Sequence, residues 1–250
     1  VQLGGATGLA MTALAAHLVA GGIARNILVV AGENRATGQS RDASVQTLAQ
    51  VGHPAYEVPL GATIPAYYAL VAARFMHDHG ISEADLAEFA VLMRAHAANH
   101  PGAHLREPIA LADVMASKPI ASPLKLLDCC PVSDGGAAVV VSCEPGARAV
   151  RIRGAGQAHQ HQHVSAIASF DDLGAAASAA RALNAAGVTR ADIRHAAIYD
   201  SFTATLAILL EEIGFAARGE AGAMARAGHF ARGGALPLNL HGGLLSYGHC

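Results

Sequence analysis

Tryptophan is absent from this chain, aromatic residues make up 4% of it, and charged residues only 14%. Without large rings, the interior has to be filled by Ala, Leu, Val and Gly, which favours close approach of helices to a sheet. A hydrophobic content of 52% excludes a disordered chain. The formal charge of −2 lacks the clustered basic excess that nucleic-acid binding requires, so no nucleic-acid partner is expected. An acidic or neutral ligand stays accessible through local Arg clusters. No apolar run reaches the roughly 18 residues of a bilayer-spanning helix. The nearest, from Leu9 to Val30, is interrupted by Gly21, Gly22, Arg25 and Asn26. Cysteine is scarce: Cys129, Cys130, Cys143 and Cys250, two of them adjacent. That count excludes a secreted disulfide framework and points to a reducing, cytoplasmic setting. Cys129 and Cys130 read as small buried hydrophobes. Val1 is not an initiator Met and Cys250 falls within a motif, so the chain reads as a fragment.

What is present alternates between helical and extended patterns. A glycine-rich lead, residues 1–8, runs into a helix with Leu9, Ala13, Leu14 and Leu18 on one face, stopped by Gly21 and Gly22. A buried strand Ile27 to Ala31 follows, the rhythm of an α/β protein with a largely parallel sheet. Residues 41–60 are polar, carry two prolines and read as loop. A helix is predicted from Pro65 to Gly80, with Tyr68, Val71, Ala72 and Phe75 on one face. Ser82 caps the next helix with Asp85 three positions on, and that helix runs to Asn99. A strand returns at Ala137 to Val141.

Glu144-Pro145-Gly146 marks the best internal boundary. Beyond it the spacing predicts a strand Ala149 to Arg153, a turn Gly154-Ala155-Gly156, and a helix Leu173 to Ala186 stopped by Gly187. A strand Ala196 to Tyr199 and a helix Phe202 to Ile213 follow. Both halves therefore repeat helix, glycine stop and apolar strand. His159, His161 and His163 alternate along a polar tract and could face a metal together. With no carboxylate or cysteine nearby, a solvated loop is the preferred reading, and no metal is expected.

The last dozen residues carry the densest chemistry: His241-Gly242-Gly243, then Tyr247-Gly248-His249-Cys250. Two imidazoles and a phenol stand among glycines that permit sharp turns and close backbone approach. This run resembles the HGG…GHP region of the thiolase superfamily, in its sterol-carrier-protein-type branch. Residues 128–138 resemble that family's segment before the last strand of the first domain. Tyr199-Asp200-Ser201-Phe202 falls where most thiolases have NEAF and the sterol-carrier type has HDCF. Four segments in order span nearly the whole chain. The resemblance implies the layered αβαβα thiolase fold, an α/β architecture of two similar halves. The first would cover residues 1–146 with a helical loop domain near 36–125, and the second residues 147–250.

The resemblance also implies departures. Gly5 holds the position of the thiolase nucleophile, and glycine cannot form an acyl-enzyme. Ser201 replaces the second cysteine. His249 remains, with Tyr247 two residues before it and Tyr199 at the strand end. This set is similar to thiolase-like aldolases that act on coenzyme A thioesters. Tyr247, His249, Tyr199 and His241 are thus the candidate catalytic residues. Tyr199 has a blander alternative, packing its ring against helix 202–213. Retro-aldol cleavage of a β-hydroxyacyl-CoA needs no covalent intermediate, so loss of the cysteine is tolerable. Coenzyme A would enter as part of the substrate, with no separate cofactor. An acyltransferase of the ordinary thiolase kind and a non-catalytic acyl-CoA or lipid-binding protein are the alternatives. The family further implies a homodimer, and a small zinc-ribbon and OB-fold protein as partner.

Overall fold

The structure, a computed structural model, describes residues 3–38, 40–144 and 146–250. Its helices are α1 (Thr7–Ala20), α2 (Arg41–Ala49), α3 (Ile64–His79), α4 (Glu83–Ala97), α5 (Leu111–Ala116), α6 (Ala175–Ala186), α7 (Thr203–Ile213), α8 (Ala221–Arg226) and α9 (Gly243–Tyr247). Its strands are β1 (Asn26–Asn34), β2 (Pro119–Ala121), β3 (Leu124–Lys125) and β4 (Asp134–Ser142). None of the described helices is long and apolar enough to cross a membrane.

β1 and β4 pair along their full lengths, with Leu28 opposite Val140 and Val30 opposite Ala138. The pairing is antiparallel, which corrects the expected parallel sheet. An apolar run such as Ile27 to Ala31 reads the same in either direction, so its partner's polarity is not written in it. Because side chains alternate across a strand, Val29 and Val141 are buried on one face, beneath Ala15 and Val19 of α1. Leu28, Val30 and Val140 stay exposed on the other. The face expected for α1 is therefore displaced. Leu9 is 81% exposed and Leu14 47%, while the small Ala15 sits against the strands. α1 is apolar on all sides, so periodicity alone could not choose its buried face.

Between β1 and β4 lie the helices α2 to α5. α2 corrects the expected loop at 41–60: the Ser40 hydroxyl accepts from the Ala43 N–H, and Asp42 stands in the first turn. That cap was the available signal, masked by polar composition. α3 buries Ala72 and Phe75 as predicted, and Gly80 closes it in the left-handed region at φ +65°. α4 begins with the predicted capping box: Asp85 N donates to Ser82 Oγ at 3.2 Å, and Ser82 N to Asp85 Oδ2 at 3.0 Å. Phe89 and Met93 of α4 are wholly buried and meet Leu206 and Leu210 of α7 and Phe230 in the main core.

After β4, Pro145 of the expected boundary lies outside the described residues. The predicted strand at 149–153 is not formed, and Val150 is 91% exposed. With no partner strand alongside among the described residues, an apolar alternation gains nothing from extension. Gly154 and Gly156 instead run flush against α6, where a Cβ on Gly156 would lie 2.1 Å from the Ser178 carbonyl oxygen. The predicted strand at 196–199 contracts to one parallel bridge, Ala196 to Leu238. Asn239 extends that contact, its side chain accepting from Ile198 N and donating to Ile198 O, both at 2.8 Å. Two adjacent acids at the end of α7 tie down its surroundings. Glu211 accepts from Gly219 and Ala221 N–H groups, Glu212 from Leu173 and Ala175.

The capping box gives a direct stability test. Ser82→Ala removes an N-cap worth about 1 kcal/mol, so the melting temperature should fall by roughly 2–4 °C. Arg226, which bonds Asp85 at 2.7 Å and Glu88 at 2.9 Å, keeps the helix docked in the variant. A thermal melt of wild type and variant with unchanged Tm would refute the cap's contribution.

Candidate active site

Three short extended segments meet at the end of the chain. Cys129 bridges Phe202 in antiparallel sense, and Val132 bridges His249 in parallel sense. Cys130 N donates to Ser201 O at 2.9 Å, His249 N to Pro131 O at 2.8 Å, and Ser133 N to His249 O at 3.0 Å. Residues 129–133 therefore hold residues 199–202 and 248–249 in fixed register, though about fifty positions separate the latter two in sequence.

That register brings Tyr199 and His249 together. The phenol oxygen lies 2.9 Å from His249 Nε2, with the rings nearly perpendicular at 89°. His249 Nδ1 lies 2.7 Å from the backbone oxygen of Cys250. A backbone oxygen only accepts, so Nδ1 donates, which leaves Nε2 of the neutral ring to accept from the phenol. Burial, then the neighbouring Tyr68, raises the pKa of Tyr199, so the free site holds a neutral phenol. Tyr68 stacks on Phe202 with centroids 4.4 Å apart, and its hydroxyl faces those of Tyr199 and Ser201. The Ser201 hydroxyl is buried without a hydrogen-bond partner.

Gly5 faces Tyr199. A Cβ built on it would stand 3.5 Å from Tyr199 Cε2 and 3.7 Å from the phenol oxygen. Neither Cys129 nor Cys130 suits a nucleophile's role. Burial pushes Cys129 and Cys130 up to about 12, aided by Asp128 beside the first and Asp200 beside the second. Both remain protonated and poorly nucleophilic near neutrality.

Tyr247 and His249, two residues apart in sequence, are parted in the fold. Tyr247 ends helix α9, His249 belongs to the extended segment, and Gly248 at φ +91° turns the backbone between them. The Tyr247 hydroxyl bonds Nδ1 of His100, and the His241 ring lies 5.3 Å away, centroid to centroid. His241 itself is exposed. His100 was not singled out from sequence, although His100-Pro101-Gly102 has the same imidazole-and-glycine character as the terminal motif. Gly102 is required there, since a Cβ would meet the Tyr247 oxygen at 2.6 Å. The His104 and Leu105 N–H groups donate to Ser246 O, fastening this loop to α9.

Asp200 underlies the arrangement. Its carboxylate accepts from Leu244 N at 2.8 Å and Leu245 N at 3.4 Å, at the start of α9. A Cβ on Gly243 would come within 1.8 Å of it, which accounts for the second glycine of His241-Gly242-Gly243. His159, His161 and His163 lie elsewhere, on an irregular segment leading into a 3-10 turn. Among the described residues no group of three His, Cys, Asp or Glu could hold a metal ion.

Residues 156–250 match the family described as thiolase C-terminal domain-like. The chain is 34% identical over 263 residues to the 17-hydroxy-3-oxo-4-pregnene-20-carboxyl-CoA lyase of Mycobacterium tuberculosis, covering 98% of this chain and 68% of that protein. It is 39% identical over 205 residues to the steroid side-chain-cleaving aldolase of Thermomonospora curvata, across 76% of this chain and 52% of the aldolase. Among solved structures, that of the Ltp2-ChsH2(DUF35) aldolase superposes with a TM-score of 0.83 at 34% identity, covering 98% of this chain and 66% of that one. The chain belongs to the thiolase superfamily, and its fold is the α/β thiolase fold. It spans about two thirds of the lyase and about half of the Thermomonospora aldolase.

Asp200 offers a test by pH. Burial raises its pKa from 3.8 to about 6 in the folded protein, against the lowering effect of the Leu244 and Leu245 N–H groups. Between those values the folded state holds a proton that the unfolded state has released, so stability falls as pH rises through this window. The loss amounts to about 3 kcal/mol by pH 7. Asp200→Asn does not titrate. Denaturant unfolding from pH 4 to 7 should therefore show wild type losing stability relative to the variant, and a difference constant with pH would refute the raised pKa.

Proposed function

We propose that this protein cleaves a carbon–carbon bond in a β-hydroxyacyl-CoA by a retro-aldol reaction. The observation that carries the reading is Gly5, without a side chain, facing Tyr199 of the Tyr199–His249 pair, at the position where the resemblance places the nucleophile. In the forward step the substrate's β-hydroxyl gives its proton to the Tyr199 oxygen, as Tyr199 passes its own proton to His249 Nε2. The Cα–Cβ bond breaks, the hydroxyl carbon becomes a carbonyl, and the bonding pair moves into the thioester enolate. Return of the proton from His249 through Tyr199 to the α-carbon yields the shortened acyl-CoA and restores both residues. The relay suits a phenol whose raised pKa makes free phenolate costly, because no isolated phenolate has to form. Tyr247, polarised by His100, is assigned the hydrogen bond to the thioester carbonyl, where charge grows in the transition state. His241, beside it, orients that pair.

The names of the lyase and aldolase relatives support the reaction class. An acyltransferase would need a thiolate, and Cys129 and Cys130 are held protonated. Coenzyme A enters only as part of the substrate. The solved aldolase is named for two components, Ltp2 and ChsH2(DUF35), and this supports a partner protein for the present chain; its small zinc-ribbon and OB-fold type is what the family resemblance implies. A cytoplasmic location fits the scarcity of cysteine. The domain division at residue 146 and the loop domain near 36–125 fit the helices α2 to α5 that separate β1 from β4.

Tyr199→Phe deletes the hydroxyl and keeps the ring. It and His249→Ala should each lower turnover of a β-hydroxyacyl-CoA roughly a hundred- to thousandfold while the variants fold normally, and Tyr247→Phe should cost about as much. Gly5→Cys should gain no thiolysis, because Ser201 cannot replace the second proton-transferring thiol. Steady-state release of the shortened acyl-CoA, with mass spectrometry for an acyl adduct, reads these outcomes. An adduct on wild type, or full activity in Tyr199→Phe, would overturn the mechanism.

The homodimer rests on the β1–β4 ribbon. Among the described residues β1 pairs with β4 alone, and Leu28, Val30 and Val140 expose an apolar face. An uncovered strand edge beside such a face favours a partner of the same kind. Sedimentation at micromolar concentration should give a dimer, and Val30→Glu with Val140→Lys should dissociate it. A wild-type monomer would refute the assignment.

A further inference from the structure

Asn239 is wholly buried, and among the described residues it is the one non-glycine residue held at positive φ, +44°. Asparagine bears that left-handed conformation better than most side chains, but it persists only where the surroundings fix it. Here they do so through hydrogen bonds. The Asn239 N–H donates to Ala196 O at 2.9 Å, and its carbonyl accepts from Gly242 N at 2.7 Å. The left-handed turn carries the main chain away after the single bridge of Ala196 to Leu238, so the backbone cannot go on to pair with Ile198. The side chain does so instead. Its oxygen accepts from Ile198 N and its nitrogen donates to Ile198 O, both at 2.8 Å. A primary amide offers an acceptor and a donor side by side, so it stands in for the absent strand residue.

Ile198 directly precedes Tyr199. On the far side, the Ser201 carbonyl accepts from Cys130 N at 2.9 Å. Tyr199 is thus held between two anchor points, and one of them is a side chain. We infer that Asn239 is a positioning residue for the proton relay: by clamping Ile198 it sets the direction in which Tyr199 presents its hydroxyl to His249 Nε2. The catalytic consequence rests on the retro-aldol reading, whereas the clamp stands on the hydrogen bonds alone. Asparagine meets two demands at once. Glycine would accept the left-handed backbone but carries no amide. An alanine would lose the amide and strain the backbone as well. Without the amide, the Ile198 N–H and carbonyl must find other partners, which shifts the segment. A displacement of about 1 Å at a reacting group costs roughly a hundredfold in rate.

The test uses the full chain with Asn239→Gly, which keeps the backbone conformation and deletes the amide. Nitrogen-15 spectra of histidine-labelled protein report whether His249 Nε2 still accepts a hydrogen bond. His249→Ala assigns the signal, and Tyr199→Phe gives its position when the bond is lost. In Asn239→Gly the signal should move to the Tyr199→Phe position while the far-ultraviolet circular dichroism stays that of wild type. With a β-hydroxyacyl-CoA, kcat should fall roughly a hundredfold and KM change little. Lower stability alone would move neither the signal of the folded protein nor the turnover per folded molecule. An unmoved His249 signal overturns the positioning role, whatever the turnover, and leaves the retro-aldol reading to stand on cleavage by wild type. A moved signal with turnover unchanged, or with wild type cleaving no thioester, supports the positioning role and removes the relay reading. Should Asn239→Gly not fold, amide exchange in wild type decides. Ile198 N–H should exchange as slowly as the buried core of α7, and exchange at the rate of an exposed loop overturns the clamp.

Discussion

The constraint on which the site depends is backbone pairing at residues 129–133. One side of this segment meets Ser201 and Phe202, and the other meets His249, through three hydrogen bonds of 2.8–3.0 Å. No side chain in the Tyr199–His249 pair could impose its own geometry, because each residue comes from a different part of the chain. Hydrogen bonds between main-chain groups set the separation, and the 2.9 Å contact between phenol and imidazole follows. The segment itself is anchored by Asp128, which is buried and accepts from Thr203 Oγ1 and Lys125 N, both at 2.9 Å. The same few residues therefore join the first half of the chain to the second and build the candidate site.

Buried carboxylates recur as fasteners, each facing backbone N–H groups. Glu57 accepts from His53 and Ser165, Asp200 from the start of α9, and Glu211 and Glu212 from segments beside α7. A carboxylate left bare in the core would be expensive, and loops left with unpaired N–H groups would be too; each offsets the other's cost. The balance differs among them. Burial works to raise the pKa of Glu57, Asp128, Asp200 and Glu211, and it wins at the last three. At Glu57 the N–H donors of Ser165 and His53 outweigh it and hold the group below the usual carboxylate range. Asp200 lies closest to the chemistry and carries the most visible consequence, a protonation change inside the physiological range.

The absence of a side chain at Gly5 bears on the chemistry beside Tyr199. Glycine at position 5 leaves space bounded by the Tyr199 ring at ordinary contact distance. What stands beside it is a phenol hydrogen-bonded to an oriented imidazole. That pair suits proton transfer coupled to carbon–carbon cleavage, which asks for no acyl-enzyme.

By itself the sequence determined the elements whose signals are local. The Ser82–Asp85 box, the glycine stops at Gly80 and Gly187 and the apolar face of α3 all depend on neighbours within one or two turns, so spacing reveals them. It also carried the four motifs that mark the family, including Tyr199, Tyr247 and His249. Tertiary structure decided what depends on distant partners. It set the antiparallel sense of β1 and β4, the buried face of the uniformly apolar α1, and the failure of 149–153 to extend without a strand beside it. It also decided which residues of the site meet. His249 engages Tyr199, fifty positions away, and Tyr247 engages His100, because Gly248 turns the chain and the pairing at 129–133 fixes where each side points. A one-dimensional pattern holds residue types and intervals, but not the register between segments that only the folded backbone brings side by side.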